Sequence, residues 1–167
     1  MSDFIPKQLY VPLAELASLL EQRGMTLGTA ESCTGGLFAG FCTALQGSSV
    51  WFQGGVVAYA NEVKTALLGV PQATLQSHGA VSREVAEAMS RGCMEAIHAN
   101  CAIAFTGIAG PGGGTPDKPV GTVWIATCLY EGEAEAHCFH FTGDRSAVRL
   151  SAIGQGIVLL AERLKKR

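Results

Sequence analysis

With 167 residues the chain has the length of a single domain, and its 48% apolar residues are enough to bury a sizeable core. Only 16% of the residues are charged and the net charge is −2, which argues against disorder and against general attraction to nucleic acid or to an anionic membrane. No secretory signal and no apolar run of bilayer length is visible. We therefore expect one cytoplasmic domain over residues 1–167 that binds neither nucleic acid nor a membrane.

The first two thirds of the chain alternate helical and strand patterns. Leucines at helical spacing predict a first helix that Gly24 ends. Serine and asparagine residues that can cap a helix precede two later helical stretches. The predicted elements are, in chain order, helix Leu9–Arg23, strand Thr26–Ala30, helix Cys33–Ala44, strand Gly54–Tyr59, helix Asn61–Leu68 with Asn61 as its cap, helix Ser82–Ala99 with Ser82 as its cap, and strand Cys101–Thr106.

After a glycine-rich run, Gly107–Pro119, the pattern changes to a hairpin and a last helix. Gly121–Tyr130 and Glu135–Thr142 read as strands joined by a tight turn, and a helix begins near Asp144. Helices alternating with strands predict the α/β class with three layers, an α/β/α sandwich. The hairpin predicts a mixed sheet of about five strands, in which Gly121–Tyr130 is antiparallel to its neighbours.

The segment Thr29–Gly36 is richer in hydroxyl groups and glycine than packing requires. Ser32 would stand between a strand and a helix, where backbone N–H groups are free to hold an oxyanion or a phosphate. The candidate donors are the N–H groups of Cys33, Thr34, Gly35 and Gly36. From this segment alone, Ser32 could equally be an ordinary helix cap, with glycines that only permit close packing.

The segment Gly54–Lys64 ends a predicted strand and enters a helix. Tyr59 and Lys64 could therefore lie at the same sheet edge as Ser32, because open α/β sheets build their sites at the carboxyl ends of strands. A lysine in this position is also compatible with a plain solvated helix residue.

Two further loops could hold a substrate. Thr106–Thr115 follows a buried strand, although it lacks the glycine spacing of a dinucleotide fold or a P-loop, and a flexible crossover is the alternative. Thr142–Arg145 precedes the last helix, with Arg149 one turn later, and an arginine beside a helix N-terminus suits a phosphate. Asp144 as a simple cap with solvated arginines is the alternative there.

Metal sites and other catalytic layouts find little support. His137 and His140 would face opposite sides of one strand, and aspartate occurs only at positions 3, 117 and 144. The six cysteines show no CxxC spacing and lie mostly in apolar stretches, which is typical of buried thiols in a reducing compartment. We expect no metal and no cofactor.

Taken together, these segments resemble the CinA C-terminal domain family, whose active members are nicotinamide-nucleotide amidases. The resemblance covers about residues 10–163 and shows no departure in the motifs. The matching stretches are Ala30–Gly36, Gly54–Lys64, Gly79–Ala86, Thr106–Gly121 and Thr142–Arg145. It implies a mixed five-stranded α/β/α sandwich in a stand-alone amidase domain, a small-molecule nucleotide substrate and a homo-oligomer, with a dimer as one form.

The resemblance also implies a Ser/Lys dyad that deamidates nicotinamide mononucleotide in pyridine-nucleotide salvage. It makes Ser32 the nucleophile and Lys64 the base, with Tyr59 helping to orient the pair. The expected contacts to the phosphate and ribose of the substrate come from Thr106, Gly107, Gly110, Gly112, Gly113 and Arg145. Two alternatives stay open: an amidase or esterase with Cys33 as nucleophile, and a non-catalytic module that binds a nucleotide with the same loops.

Overall fold

A computed structural model describes residues 4–166 of the chain. The described residues form an α/β fold with helices on both faces of one sheet. The helices are α1 Lys7–Gln22, α2 Leu37–Ala44, α3 Asn61–Leu68, α4 Gln72–His78, α5 Arg83–Ala96 and α6 Arg145–Lys165, with a short 3₁₀ turn at Ser48–Val50. The strands are β1 Leu27–Glu31, β2 Phe52–Val57, β3 Cys101–Gly107, β4 Thr122–Leu129 and β5 Glu135–His140.

The five strands form one mixed sheet in the order β2-β1-β3-β4-β5. β1 is parallel to both β2 and β3, so the carboxyl ends of these three strands meet at one edge. β4 is antiparallel to β3 and to β5, as the hairpin pattern predicted. The predicted class and the mixed five-stranded sheet are confirmed.

Two apolar cores lie on the two faces of the sheet. β3 is buried along its length because it contributes to both: Ile103 and Phe105 join the core of α1, α2 and α6, whereas Ala102 and Ala104 join that of α5. Because Ala102 and Ala104 are small, α5 can lie close to β3 on that face of the sheet.

α3 packs tightly on α5 through a glycine. A Cβ built on Gly92 of α5 would lie 1.8 Å from the carbonyl oxygen of Leu68 at the end of α3, a contact that no side chain could fit. This close approach buries Leu68 and, one turn earlier on α3, Lys64. The packing of two helices therefore fixes where the lysine stands.

Three predicted helix features were wrong in detail. α2 begins at Leu37 rather than at Cys33, because Gly35 and Gly36 have φ values of +62° and +86° that no right-handed helix contains. Ala60, not Asn61, is the N-cap of α3. The sequence patterns also missed α4. By contrast, Ser82 and Asp144 cap α5 and α6 by accepting bonds from the N–H groups of Val85 and Ala147, as predicted for Ser82.

Among residues 4–166, no helix combines the length and the apolar character needed to cross a bilayer.

Candidate active site

A cavity of about 200 Å³ opens at the edge where the parallel strands end. Ser32 follows β1, Tyr59 follows β2, and Thr106 and Gly107 close β3, so the topology brings separate segments to one place. The predicted site residues that line the cavity are Ser32, Cys33, Tyr59, Lys64, Thr106, Gly107 and Arg145. Thr34, Gly35, Gly36, Gly110, Gly112 and Gly113 do not line it.

The main chain of Ser32 is held on both sides. Its N–H donates to the carbonyl of Phe105 on β3 at 3.0 Å, and its carbonyl accepts the N–H of Gly35 at 3.1 Å. The Ser32 hydroxyl has no hydrogen-bond partner among residues 4–166, and the side chain lines the cavity. Ser32 is therefore fixed at its backbone while its oxygen stays available.

The first turn of α2 is occupied by a side chain of the protein itself. Glu31 is fully buried, and its carboxylate accepts the N–H groups of Phe38 at 3.2 Å and Ala39 at 2.8 Å. A negative charge in this position is stabilised by the N-terminal end of the helix dipole. The α2 N-terminus thus anchors the turn Ser32–Gly36 through Glu31, so the oxyanion donors predicted at Cys33–Gly36 belong to that turn and not to the helix.

Lys64 is only 1% exposed, which is rare for a lysine. Its Nζ donates to the backbone carbonyl of Tyr59 at 3.0 Å, and no other hydrogen-bond partner lies among the described residues. Burial lowers the pKa of Lys64, while charges on Cys33 and Glu62 act in the opposite direction. An ammonium group that is buried with one acceptor is stabilised far less than one in water, so its neutral form is accessible nearer to neutral pH.

Cys33 stands beside Ser32 in the same cavity. The pKa of its thiol is raised to about 11, chiefly by burial and to a smaller extent by the charge of Glu31, while backbone N–H groups and Arg149 act in the opposite direction. A thiolate is the nucleophilic form of cysteine, and an elevated pKa keeps it scarce at neutral pH. This environment disfavours Cys33 as the nucleophile.

Arg145 connects the loops at the mouth of the cavity. Its Nη1 donates to the carbonyl of Gly110 at 2.7 Å and its Nη2 to the hydroxyl of Tyr59 at 3.0 Å. Tyr59 therefore touches Lys64 through its carbonyl and Arg145 through its phenol. Arg145 itself is exposed and keeps further N–H groups for a ligand.

Four cavity residues escaped the predictions as site residues: Asn61, Ala80, Val81 and Ala109. Ala80 and Val81 lie between α4 and α5, where the carbonyl of Ala80 accepts the hydroxyl of Thr106 at 2.7 Å. They belong to the stretch Gly79–Ala86, which matched the family motifs, and that match was the available signal. Small apolar residues carry no chemical signature of their own.

A larger groove of about 450 Å³ runs between α3 and α4. It shares Asn61 with the cavity and is otherwise lined by surface residues of the two helices such as Thr65, Gln72 and Leu75. Neither Ser32 nor Lys64 reaches it, so the smaller cavity is the better candidate for catalysis. Within residues 4–166, no three histidine, cysteine, aspartate or glutamate side chains cluster as metal ligands would.

The sequence-family model described as the CinA C-terminal domain matches residues 12–164 of this chain. The chain belongs to the CinA C-terminal domain family. Solved structures support this: it superimposes with a TM-score of 0.94 and 38% identity on competence/damage inducible protein CihA from Agrobacterium tumefaciens, over 99% of both chains. A CinA superfamily protein from Klebsiella pneumoniae matches with a TM-score of 0.90 and 38% identity, over 94% of this chain and 98% of that one.

Curated relatives fall into two length groups. A CinA-like protein of Leptospira borgpetersenii is 48% identical over 152 residues, which are 91% of this chain and 36% of that protein. The chain thus spans about a third of the length of the first such relatives. The Escherichia coli protein named nicotinamide-nucleotide amidohydrolase PncC is 45% identical over 146 residues, 87% of this chain and 88% of that protein.

Proposed function

We propose that this protein hydrolyses the carboxamide of nicotinamide mononucleotide to nicotinate mononucleotide and ammonia, in pyridine-nucleotide salvage. The observation that carries the proposal is one cavity lined by both Ser32, whose hydroxyl is unengaged among the described residues, and Lys64, a nearly inaccessible lysine. The name of the Escherichia coli relative supplies the substrate class. A cytoplasmic location and a homo-oligomeric assembly belong to the same proposal.

In the proposed reaction Lys64 is the general base. Keeping a lysine of ordinary pKa neutral at pH 7 would cost about 4–5 kcal/mol. Burial reduces that cost, as the lowered pKa of Lys64 indicates. Neutral Lys64 takes the proton of Ser32, whose oxygen attacks the carboxamide carbon. The carbonyl of Tyr59 keeps Nζ in place for this transfer.

The tetrahedral oxyanion is stabilised in this proposal by N–H groups of the turn after Ser32. Gly35 N–H is already bonded to the Ser32 carbonyl, which leaves Cys33, Thr34 and Gly36 as the candidate donors. Protonated Lys64 then gives its proton to the departing ammonia. Water hydrolyses the acyl-enzyme, with Lys64 again as base, and releases the nicotinate product.

The size of the cavity indicates how the substrate lies. At about 200 Å³ it is smaller than the roughly 300–1,000 Å³ of typical small-molecule sites. We propose that it holds the pyridine ring and its carboxamide, with ribose and phosphate at the mouth. Arg145 lies at this mouth and has further N–H groups that can bind a ligand. The loop around Gly107 and Gly110 lies beside Arg145.

A coupled ammonia assay with nicotinamide mononucleotide tests the proposal. Wild-type protein should release ammonia, Ser32→Ala should lose nearly all turnover, and Cys33→Ser should keep much of it. Activity in Ser32→Ala together with loss in Cys33→Ser would instead support the cysteine mechanism. Tight binding of the mononucleotide without ammonia release would make the protein a non-catalytic binding module.

A further inference from the structure

Few backbone bonds hold the turn from Ser32 to Gly36, and one of them runs from Leu37 N–H to the Thr34 carbonyl at 3.2 Å. The end of the turn at α2 is anchored by Glu31, and its start by the bond from Ser32 N–H to Phe105. Between these points the bond from Gly35 N–H to the Ser32 carbonyl sets the direction of the Ser32 backbone. Gly35 has a positive φ, which glycine adopts without steric cost and which other residues rarely adopt.

A further contact to this turn comes from a distant part of the chain. Nη2 of Arg149, in the second turn of α6, donates to the carbonyl of Thr34. The guanidinium also lies against Gly35, since a Cβ built on that glycine would stand 3.5 Å from the same nitrogen. Arg149 does not line the cavity, so it meets the turn from behind.

The Thr34 carbonyl and the Gly35 N–H belong to one peptide group. A cationic donor on the carbonyl polarises that peptide and strengthens its N–H as a donor. The bonds therefore form a series from Arg149 through the Thr34–Gly35 peptide to the carbonyl of Ser32. Any tilt of this peptide would turn the Ser32 backbone and move its hydroxyl relative to Lys64.

The contact is not arranged for stability alone. Nε of Arg149 and the hydroxyl of Thr34 are both buried without a hydrogen-bond partner among the described residues. Arg163, on the same helix, shows the contrasting arrangement. It donates to the Thr127 carbonyl and hydroxyl and to the Glu133 carbonyl, and it pairs with Glu135 at 3.1 Å.

We propose that Arg149 is a positioning residue for the nucleophile, which orients Ser32 through the Thr34–Gly35 peptide. The inference rests on the proposed amidase function, because it needs Ser32 to be the attacking group. Arg149 acts through another residue and does not line the cavity, so its loss should affect kcat and leave KM for the mononucleotide nearly unchanged. Arg145, at the mouth, should behave in the opposite way.

The test compares Arg149→Ala with Arg163→Ala, a matched control that removes a half-buried arginine from the same helix. We expect kcat of Arg149→Ala to fall roughly 10- to 100-fold, the range that a displacement of about 1 Å produces, with KM within about twofold. Arg163→Ala should keep kcat within about twofold. Millimolar guanidinium should partly restore kcat in Arg149→Ala alone, because it can refill the vacated site. Equal kcat values in the two variants, or no rescue by guanidinium, would overturn the proposal.

A second readout separates this inference from the proposed function. The rate at which a fluorophosphonate labels Ser32 reports the position of the serine without any use of the mononucleotide. Labelling should be slower in Arg149→Ala than in Arg163→Ala, and equal rates contradict the positioning role. If wild-type protein neither releases ammonia nor reacts with the probe, the proposed function fails, and the inference that rests on it fails too.

Discussion

The carboxylate of Glu31 offers the sharpest test of how the turn Ser32–Gly36 is anchored. Glu31→Gln keeps the size and shape of the side chain but removes its charge and one acceptor oxygen. In the wild-type protein that carboxylate accepts from Phe38 N–H and Ala39 N–H inside a fully buried site. A glutamine can accept from one of these groups with its oxygen and must present its NH₂ to the other, which is a donor as well.

The expected loss follows from these two contacts. Losing one hydrogen bond to a charged group removes about 1.5–3 kcal/mol, and losing the negative charge at a helix N-terminus removes roughly 0.3–2 kcal/mol more. No cavity forms, because the two side chains are nearly isosteric. We expect the free energy of unfolding to fall by about 3 kcal/mol, or Tm by roughly 6–12 °C for a domain of this size.

Urea denaturation followed by circular dichroism measures this change. Glu62→Gln is the matched control, since Glu62 is an exposed glutamate in the first turn of α3 and should shift the unfolding free energy by no more than about 0.5 kcal/mol. If Glu31→Gln loses no more stability than Glu62→Gln, the carboxylate does not anchor α2.

Four further predictions concern the chemistry. Lys64→Arg keeps the positive charge but cannot deprotonate, so its kcat should be as low as that of Lys64→Ala. A kcat within about tenfold of wild type, a change of only ~1.4 kcal/mol in activation free energy, would show that Lys64 is not the base. Because the base must be neutral and burial lowers the pKa of Lys64, wild-type kcat should rise with pH and level off below the ordinary lysine pKa of about 10.4; a flat profile contradicts this. Arg145→Ala should raise KM for the mononucleotide about 10- to 100-fold, by loss of a charge-assisted contact of roughly 1.5–3 kcal/mol, and an unchanged KM would give Arg145 a structural role. Finally, EDTA should leave the rate unchanged, whereas loss that zinc or manganese restores would contradict a Ser/Lys mechanism.

The sequence was most informative where a local pattern has one physical outcome. Alternating periodicities, the glycine-rich run and the hairpin turn predicted the α/β class, the mixed sheet and the antiparallel placement of β4, all of which are confirmed. Ser82 was identified as the cap of α5 because a serine before a helical stretch has a specific N–H to bind. Such rules involve residues that are neighbours along the chain.

The predictions were weaker where distant segments decide the outcome. Nothing in the residues after Ser32 indicates that a buried Glu31 reaches forward to Phe38 and Ala39 in the first turn of α2. The contact from Arg149 to Thr34 spans 115 positions and leaves no local pattern. The burial of Lys64 likewise depends on the packing of α3 against α5, which its own helix does not reveal.

Two side chains that normally carry charge are buried among residues 4–166, and their surroundings differ in a way that suits different tasks. The carboxylate of Glu31 accepts two backbone N–H groups and lies at a helix N-terminus, so the fold holds it in one position. Nζ of Lys64 can donate three hydrogen bonds, yet among the described residues it finds one acceptor, the carbonyl of Tyr59. A group solvated this poorly destabilises the folded state when it is charged, and that same deficit lowers its pKa. In the proposed reaction, the burial that makes Lys64 unfavourable for stability is therefore the property that lets it accept a proton from Ser32.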